Sequence, residues 1–207
     1  MRLRELEVRL SHRLKQPLPG AGAHLRLAPQ PPRGTWQPGV VPDTARPAAA
    51  LALIYLDEAG VLRMPLTLRT STLPQHAGQI SLPGGAVDPG ETIEAAALRE
   101  AHEEIGVRAG AVRLIGRLTP VHVFVSNFGL YPVLAVSDAR PDFSAHAPEV
   151  ERILEINVDH LCGASCLRMG VRMRDGRTVN YPYFTLEEAQ VWGATAMVLA
   201  EVGELLT

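Results

Sequence analysis

The fold of this chain is decided by one stretch, Gly85-Ala-Val-Asp-Pro-Gly-Glu-Thr-Ile-Glu-Ala-Ala-Ala-Leu-Arg-Glu-Ala-His-Glu-Glu-Ile-Gly-Val107. Its Asp-Pro-Gly sequence is typical of a turn, and Thr92 then offers the side-chain oxygen of a helix N-cap. Strong helix formers follow, with apolar side chains at helical spacing: Ile93, Ala97, Ala101 and Ile105. Gly106 suits the C′ position that ends a helix. The stretch therefore predicts an amphipathic helix between Thr92 and Gly106.

Three carboxylates of this helix, Glu100, Glu103 and Glu104, are spaced i, i+3 and i+4. Residues at this spacing share one helical face. Like charges placed this way destabilise an isolated helix by roughly 0.2–0.5 kcal/mol per pair, so a positive group is expected among them. Carboxylate oxygens are the ligands that hard divalent cations prefer. The spacing therefore predicts a metal site on this face.

The stretch resembles the Nudix box, GX5EX7REUXEEXGU, in which U is an apolar residue. Every fixed position matches, with Ala101 and Val107 at the U positions. The resemblance implies a pyrophosphohydrolase that cleaves nucleoside diphosphates linked to another group and uses Mg²⁺ or Mn²⁺. It also implies an α/β fold, an α/β/α sandwich around a mixed β-sheet. Strands mixed with two or three helices, without regular βαβ alternation, favour the same architecture.

The segment before the box narrows the substrate. Residues 65–85 are similar to the signature of the coenzyme A pyrophosphatase subfamily, LLTXR[SA]X3RX3GX3FPGG. The matching positions are Leu66, Thr67, Arg69, Gly78, Pro83, Gly84 and Gly85, and the departures are Pro65, Thr70, Pro74 and Leu82. Pro74 stands where the signature has an arginine that could contact phosphate. The stretch from Trp192 to Ala196 is similar to the subfamily's C-terminal WGxTA. The resemblance implies hydrolysis of coenzyme A to 3′,5′-ADP and 4′-phosphopantetheine.

These resemblances assign roles to residues of the candidate site. We expect the metal ligands to be Glu100, Glu103 and Glu104, with the backbone carbonyl of Gly85, because a glycine allows close backbone approach. Arg99 is expected to orient carboxylates, Glu91 among them. The candidates for substrate binding are Arg69, His76, Gln79 and Gly84.

The general base stays open between two kinds of residue. One is a glutamate of the box, such as Glu100 or Glu103, acting through a metal-bound water. The other is Glu149 or Glu151, in the acidic sequence Pro148-Glu-Val-Glu151.

Two classes of function remain open. The first is hydrolysis of coenzyme A, with an ADP-ribose or dinucleoside pyrophosphatase as the alternative enzyme. The second is a non-catalytic nucleotide-binding module that keeps the same fold. The complete set of glutamates favours the enzyme, because a degenerate member is expected to lose ligands.

Composition limits the partners. The chain has 207 residues, 46% of them hydrophobic, and a net charge of −2, which predicts a globular protein that binds neither nucleic acid nor membranes. The two cysteines are too few for a disulfide framework, and the N-terminus lacks the apolar region of a signal peptide. We expect a cytoplasmic enzyme with a small-molecule nucleotide substrate; whether it is a homodimer is left open.

The remaining pattern divides the chain at residue 45. Residues 1–45 are predicted to hold an N-terminal amphipathic helix, over 2–15, and a proline-rich irregular segment; residues 46–207 form the hydrolase domain. Strands are predicted over 48–55, 62–70, 112–118, 129–136, 153–158, 167–173 and 177–183. An Asp-Gly turn joins the last two as a hairpin. Thr185-Leu-Glu-Glu188 reads as a capping box that opens a helix reaching about Leu205.

Overall fold

The computed structural model describes residues 3–71, 78–146 and 148–207. The α-helices are α1 (Leu3–Arg13), α2 (Gly20–Leu27), α3 (Ile93–Ile105) and α4 (Gly193–Leu206). The first eight strands are β1 (Arg46–Leu56), β2 (Leu62–Arg69), β3 (Ile80–Ser81), β4 (Gly84–Ala86), β5 (Arg113–Arg117), β6 (Val121–Val123), β7 (Phe128–Ser137) and β8 (Val150–Asn157). The last three are β9 (Leu167–Arg174), β10 (Arg177–Leu186) and β11 (Ala189–Trp192). None of the helices in the three described ranges is long and apolar enough to cross a membrane.

The central strand is β1, and it organises an eight-stranded mixed sheet. β1 runs parallel to β7 and antiparallel to both β2 and β4. β2 in turn pairs with β8 and with the short strand β3. β9, β10 and β11 form a separate antiparallel sheet. The predicted mixed sheet and all seven predicted strands are confirmed, with ends that differ by a few residues.

Helices cover both faces of the main sheet. Alternate side chains of β1 point to opposite faces, and its apolar run is buried on both. On one face Leu51 and Leu53 pack in a cluster with Ala97 and Ile105 of α3. On the other face Ile54 belongs to a larger cluster with side chains of α1, α2 and α4. The predicted α/β/α sandwich is therefore confirmed.

Helix α3 begins and ends where the sequence predicts. The Thr92 side chain accepts a hydrogen bond from the backbone N–H of Ala95 at 3.2 Å. Gly106 adopts φ +76°, the left-handed conformation that glycine enters without a Cβ clash, and its N–H bonds to helix carbonyls. Both caps fix the register of α3, and with it the direction of every glutamate on the helix.

The N-terminal region holds one helix more than predicted. α1 is confirmed, with Leu3, Leu6 and Leu10 buried. The expectation of a proline-rich irregular segment after α1 is wrong for α2, which follows Pro19 and buries Ala23 and Leu27. Proline disrupts the interior of a helix but is tolerated at its start. The prolines before α2 therefore do not prevent the helix from forming. α1 and α2 both contribute side chains to the larger core cluster.

The predicted β9–β10 hairpin is confirmed, and its Asp175-Gly176 turn has φ +52° and +72°. The prediction of a capping box at Thr185–Glu188 is wrong. β10 continues through Leu186, Glu187 and Glu188 form a second tight turn, and α4 begins only at Gly193. Leu186 and Val191 are buried in the core, so strand pairing and burial outweigh the local capping preference.

The second turn strains two glutamates, which have φ +46° and +66°. A non-glycine residue in this region costs roughly 1–2 kcal/mol, and Asn-Gly suits it much better. We expect Glu187-Glu188→Asn-Gly to raise the free energy of unfolding in urea by about 1 kcal/mol, since glycine also loses more entropy on folding. The exposed Arg63–Glu187 pair, 3.7 Å apart, adds little. As the matched test, Asp175-Gly176→Glu-Glu should destabilise by a similar amount; an unchanged urea midpoint in both variants would contradict the argument.

Candidate active site

The site is built where two glycines let the backbone pass between β1 and α3. A Cβ on Gly84 would lie 2.3 Å from the carbonyl oxygen of Ala49 in β1, and no side chain can occupy that position. A Cβ on Gly85 would lie 2.5 Å from the carboxylate of Glu100. The absence of both Cβ atoms brings the backbone of β4 against the glutamates of α3.

Glu104 is the buried carboxylate of the site, with 6% of its surface exposed. Its Oε2 atom accepts a hydrogen bond from the backbone N–H of Gly84 at 3.1 Å, and Oε1 lies 3.8 Å from the guanidinium of Arg69. Burial raises the pKa of Glu104 to about 7, and repulsion from Glu100 and Glu149 adds to the effect of burial. The charge of Glu104 is thus incompletely compensated by its protein neighbours.

Arg99 holds the more exposed carboxylates. Its guanidinium donates two hydrogen bonds of 3.0 Å to Glu91, one of 2.7 Å to Glu100 and one of 3.3 Å to Glu103. A further bond of 3.0 Å reaches the carbonyl oxygen of Ala86 in β4. The paired guanidinium lowers the pKa of Glu91. Arg99 therefore contacts Glu91, as predicted, and ties α3 to the loop before it.

The three predicted metal ligands share α3 but point to different partners. Glu100 and Glu103 turn to Arg99, whereas Glu104 turns inward to Gly84. Within residues 3–71, 78–146 and 148–207, no three His, Cys, Asp or Glu side chains converge into a ready metal cluster. The donor set still fits a hard divalent cation. All three side chains offer carboxylate oxygens, Glu104 lacks full compensation, and Gly85 leaves the space beside Glu100 free of a Cβ.

Arg69, in the segment before the Nudix box, contacts Glu149, which directly precedes β8. Its guanidinium bonds to the carboxylate of Glu149 at 2.6 Å and faces Glu104 on the other side. The backbone N–H of Arg69 donates to the carbonyl oxygen of Gln79 at 2.9 Å, so Gln79 also lies beside it. Glu151 is exposed, two residues further along, at the irregularity in the β2–β8 pairing. The fold therefore brings Arg69 and Glu149 to Glu104, and Gln79 lies beside Arg69 through the backbone.

The structure does not show Gly84 or His76 in the predicted role of substrate contact. The N–H of Gly84 is already bonded to Glu104, so its phosphate-binding role is not visible in this arrangement. His76 and Pro74 lie outside the described residues. Sequence reasoning missed the contacts of Arg69 with Glu149 and Glu104. No local pattern predicts these contacts, because one depends on the pairing of β2 with β8 and the other on the position of α3 beside β2.

Comparison with known proteins agrees with this geometry. The NUDIX domain family matches residues 45–154, just over half of the chain. The protein called "Uncharacterized Nudix hydrolase NudL" of Escherichia coli O7:K1 (strain IAI39 / ExPEC) is 34% identical over 163 residues, covering 75% of this chain and 79% of that protein. The NudL of Cronobacter sakazakii (strain ATCC BAA-894) is 37% identical over 164 residues, covering 76% and 81%.

A solved structure shares the fold. The MutT/nudix family protein from Enterococcus faecalis superposes with a TM-score of 0.52 at 16% identity, over 79% of this chain and 62% of that one. The chain belongs to the Nudix family of hydrolases. The expectation of a Nudix pyrophosphohydrolase is confirmed at this level. Enzymes of the family generally use divalent metal ions, usually Mg²⁺ or Mn²⁺, and act on small-molecule nucleotides.

The space beside Gly85 generates a prediction. In Gly85→Ala the new Cβ collides with the Glu100 carboxylate, a side chain that can move, so the protein should fold while Glu100 is displaced. A misplaced catalytic group can cost about a hundredfold in rate, and we expect a loss of this order in metal-dependent pyrophosphate hydrolysis. Gly22→Ala is the matched control, because its Cβ meets no atom within 4 Å. Full turnover in Gly85→Ala would show that Glu100 needs no fixed position.

Proposed function

We propose that this enzyme hydrolyses the pyrophosphate bond of coenzyme A, with Mg²⁺ or Mn²⁺, to give 3′,5′-ADP and 4′-phosphopantetheine. One observation carries the proposal. The segment that resembles the coenzyme A signature supplies Arg69 and Gly84, and both contact Glu104 of the Nudix box. The residues of the two motifs therefore meet at one point. The proposal keeps the cytoplasmic location, and leaves open whether the enzyme is a homodimer.

Glu100, Glu103 and Glu104 would hold the metal, with the carbonyl of Gly85. When bound, a divalent cation neutralises phosphate charge and lowers the pKa of a water molecule. The role of the protein is to position the carboxylates. Arg99 fixes the carboxylates of Glu100 and Glu103 through hydrogen bonds of 2.7 and 3.3 Å. The buried Glu104 accepts a hydrogen bond from the N–H of Gly84, which favours its inward orientation.

Arg69 is proposed to bind a substrate phosphate. Its Nε atom is buried and has no hydrogen-bond partner in the described structure, while its terminal nitrogen bonds to Glu149. A guanidinium can bind two phosphate oxygens at once. A phosphate that displaced Glu149 from Arg69 would free that carboxylate beside the reacting group.

The general base is proposed to be Glu149 or a glutamate of the box. Glu149 is the better candidate of the two outside the box, since it reaches Arg69, which faces Glu104. Glu151 is exposed and lies at the irregularity in the β2–β8 pairing, two residues after Glu149. Both stay candidates, with Glu149 preferred on proximity.

An ADP-ribose or dinucleoside pyrophosphatase is the second candidate. Pro74 favours it, because the coenzyme A signature has an arginine at this position. A non-catalytic nucleotide-binding module is less well supported, because Arg99 and all the box glutamates are present.

The metal assignment predicts a separation of activity from stability. Glu100→Gln and Glu104→Gln should each lower kcat by orders of magnitude and weaken binding of Mn²⁺, measured by electron paramagnetic resonance of the free ion. Because burial penalises the charge of Glu104, its glutamine variant should melt no lower than the parent. Glu94→Gln is the matched control on the same helix, where Glu94 pairs with Arg117. Near-normal turnover of both variants at saturating Mg²⁺ would refute the ligand set.

The substrate assignment is tested by comparing kcat/KM for coenzyme A, its 3′-dephospho form, ADP-ribose and dinucleoside polyphosphates. Coenzyme A should give the highest value. A charge-assisted hydrogen bond is worth roughly 1.5–3 kcal/mol, so Arg69→Ala should reduce kcat/KM by about ten- to a hundredfold. Arg152→Ala, an exposed arginine of β8, is the control. If ADP-ribose is clearly the better substrate, the coenzyme A assignment is wrong and the family assignment stands.

A further inference from the structure

The three-stranded sheet carries one face that the site described above does not use. Opposed residues in antiparallel strands point to the same side of a sheet. The pairings are Arg168 with Tyr183, Tyr183 with Trp192, Gly170 with Tyr181, and Arg174 with Arg177. We call this side the basic face; it includes Arg168, Arg172, Arg174, Arg177, Tyr181, Tyr183 and Trp192, with the buried Val179 opposite Arg172. The other side turns Leu167, Phe184 and Val191 toward the core.

Within the described parts of the chain, the arginines of the basic face form no salt bridge with a carboxylate. Other arginines are paired with aspartate or glutamate: Arg26, Arg63, Arg69, Arg99, Arg113, Arg117 and Arg140. Over residues 167–181, four arginines accompany one acid, Asp175, which gives a local charge of +3 in a chain whose net charge is −2. The hairpin is thus a concentrated positive region on a mildly acidic protein.

Arg172 is the centre of this region. Its guanidinium stacks over the ring of Trp192 at 4.5 Å and over the ring of Tyr181 at 5.3 Å. Its Nε atom is buried without a hydrogen-bond partner among the described residues. Burial and the neighbouring Arg174 and Arg33 lower the pKa of Arg172. A guanidinium that packs against two rings and forms no salt bridge with a described carboxylate can offer its terminal nitrogens to an anion.

A cavity adjoins the same arginines. It has a volume of about 360 Å³ and lies between the Pro31–Gly34 segment and the β9–β10 turn, where Arg33, Arg174 and Arg177 line it. Arg174 is fixed there by bonds to the carbonyl oxygens of Pro31 and Pro32. The volume falls in the range of small-ligand sites.

The basic face begins close to the segment that carries Arg69. Trp192 directly precedes α4, where the hydroxyl of Thr195 donates to the carbonyl oxygen of Ile80 at 3.2 Å. Ile80 pairs with Leu68, the neighbour of Arg69. The start of α4, which follows Trp192 of the basic face, therefore lies close to the segment that carries Arg69.

We propose that the basic face binds the phosphomonoester of the substrate's nucleotide end, with Arg172 as the main donor and Arg168, Arg174 and Arg177 adding positive potential. In coenzyme A this group is the 3′-phosphate, so the inference rests on the proposed function. A dianionic phosphate supplies the counter-charge that these arginines lack, and the guanidinium binds it bidentately. Because Pro74 provides no charge, the basic face supplies the cationic contact from another part of the chain.

The test compares Arg172→Gln with the parent enzyme on coenzyme A and on 3′-dephospho-coenzyme A. The KM for coenzyme A should rise by about ten- to a hundredfold with kcat nearly unchanged, while the KM for the dephospho form stays the same. Arg108→Gln, an exposed arginine beyond α3, should alter neither constant. No rise for coenzyme A, or an equal rise for both substrates, would overturn the proposal. If Arg172→Gln melts early, Arg177→Gln is measured in the same way and a smaller rise for coenzyme A alone is expected.

Direct binding separates this inference from the proposed function. Calorimetry with 3′,5′-ADP and with 5′-AMP, without metal, should show tighter binding of 3′,5′-ADP that is lost in Arg172→Gln. If coenzyme A is not cleaved but this difference is found, the phosphate site stands and the proposed function fails. If coenzyme A is cleaved and the two nucleotides bind alike, the proposed function stands and the phosphate site is wrong. An Arg172-dependent preference for single-stranded oligonucleotides over 3′,5′-ADP would assign the face to a different ligand and overturn the proposal.

Discussion

The close passage of Gly84 and Gly85 between β1 and α3 is the constraint on which the site depends. A side chain at Gly84 would collide with the backbone of β1, and one at Gly85 would collide with Glu100. Because neither exists, the N–H of Gly84 can reach the buried carboxylate of Glu104. The pairing of β4 with β1 then fixes the site relative to the centre of the sheet.

Arginine organises the charges that this packing concentrates. Arg99 binds carboxylates before and within α3, and Arg69 binds Glu149 while facing Glu104. Such planar donors hold several oxygens in a defined geometry, which suits a site whose substrate and cofactor are also charged. A substrate phosphate and a metal ion can replace these protein–protein contacts without leaving a buried charge uncompensated.

The second sheet shows the opposite arrangement. Its hairpin arginines form no salt bridge with a described carboxylate, and Arg172 packs against the rings of Tyr181 and Trp192. The same residue type thus serves two purposes in one chain. Arg69 and Arg99 position carboxylates, whereas Arg172 packs against aromatic rings and its buried Nε atom has no hydrogen-bond partner among the described residues.

The sequence by itself determined the parts that depend on local order. Helix α3, its two caps and its apolar stripe were predictable, because Thr92, Gly106 and the helical spacing act within a few residues. The family followed from the same stretch. The turn Asp175-Gly176 was predictable for the same reason. Only the tertiary structure decided the contacts of Arg69 with Glu149 and Glu104, the burial of Glu104 and the strand at Thr185–Leu186. These depend on which distant strands pair and which side chains leave water, and such free energies exceed the local preferences that a sequence pattern displays.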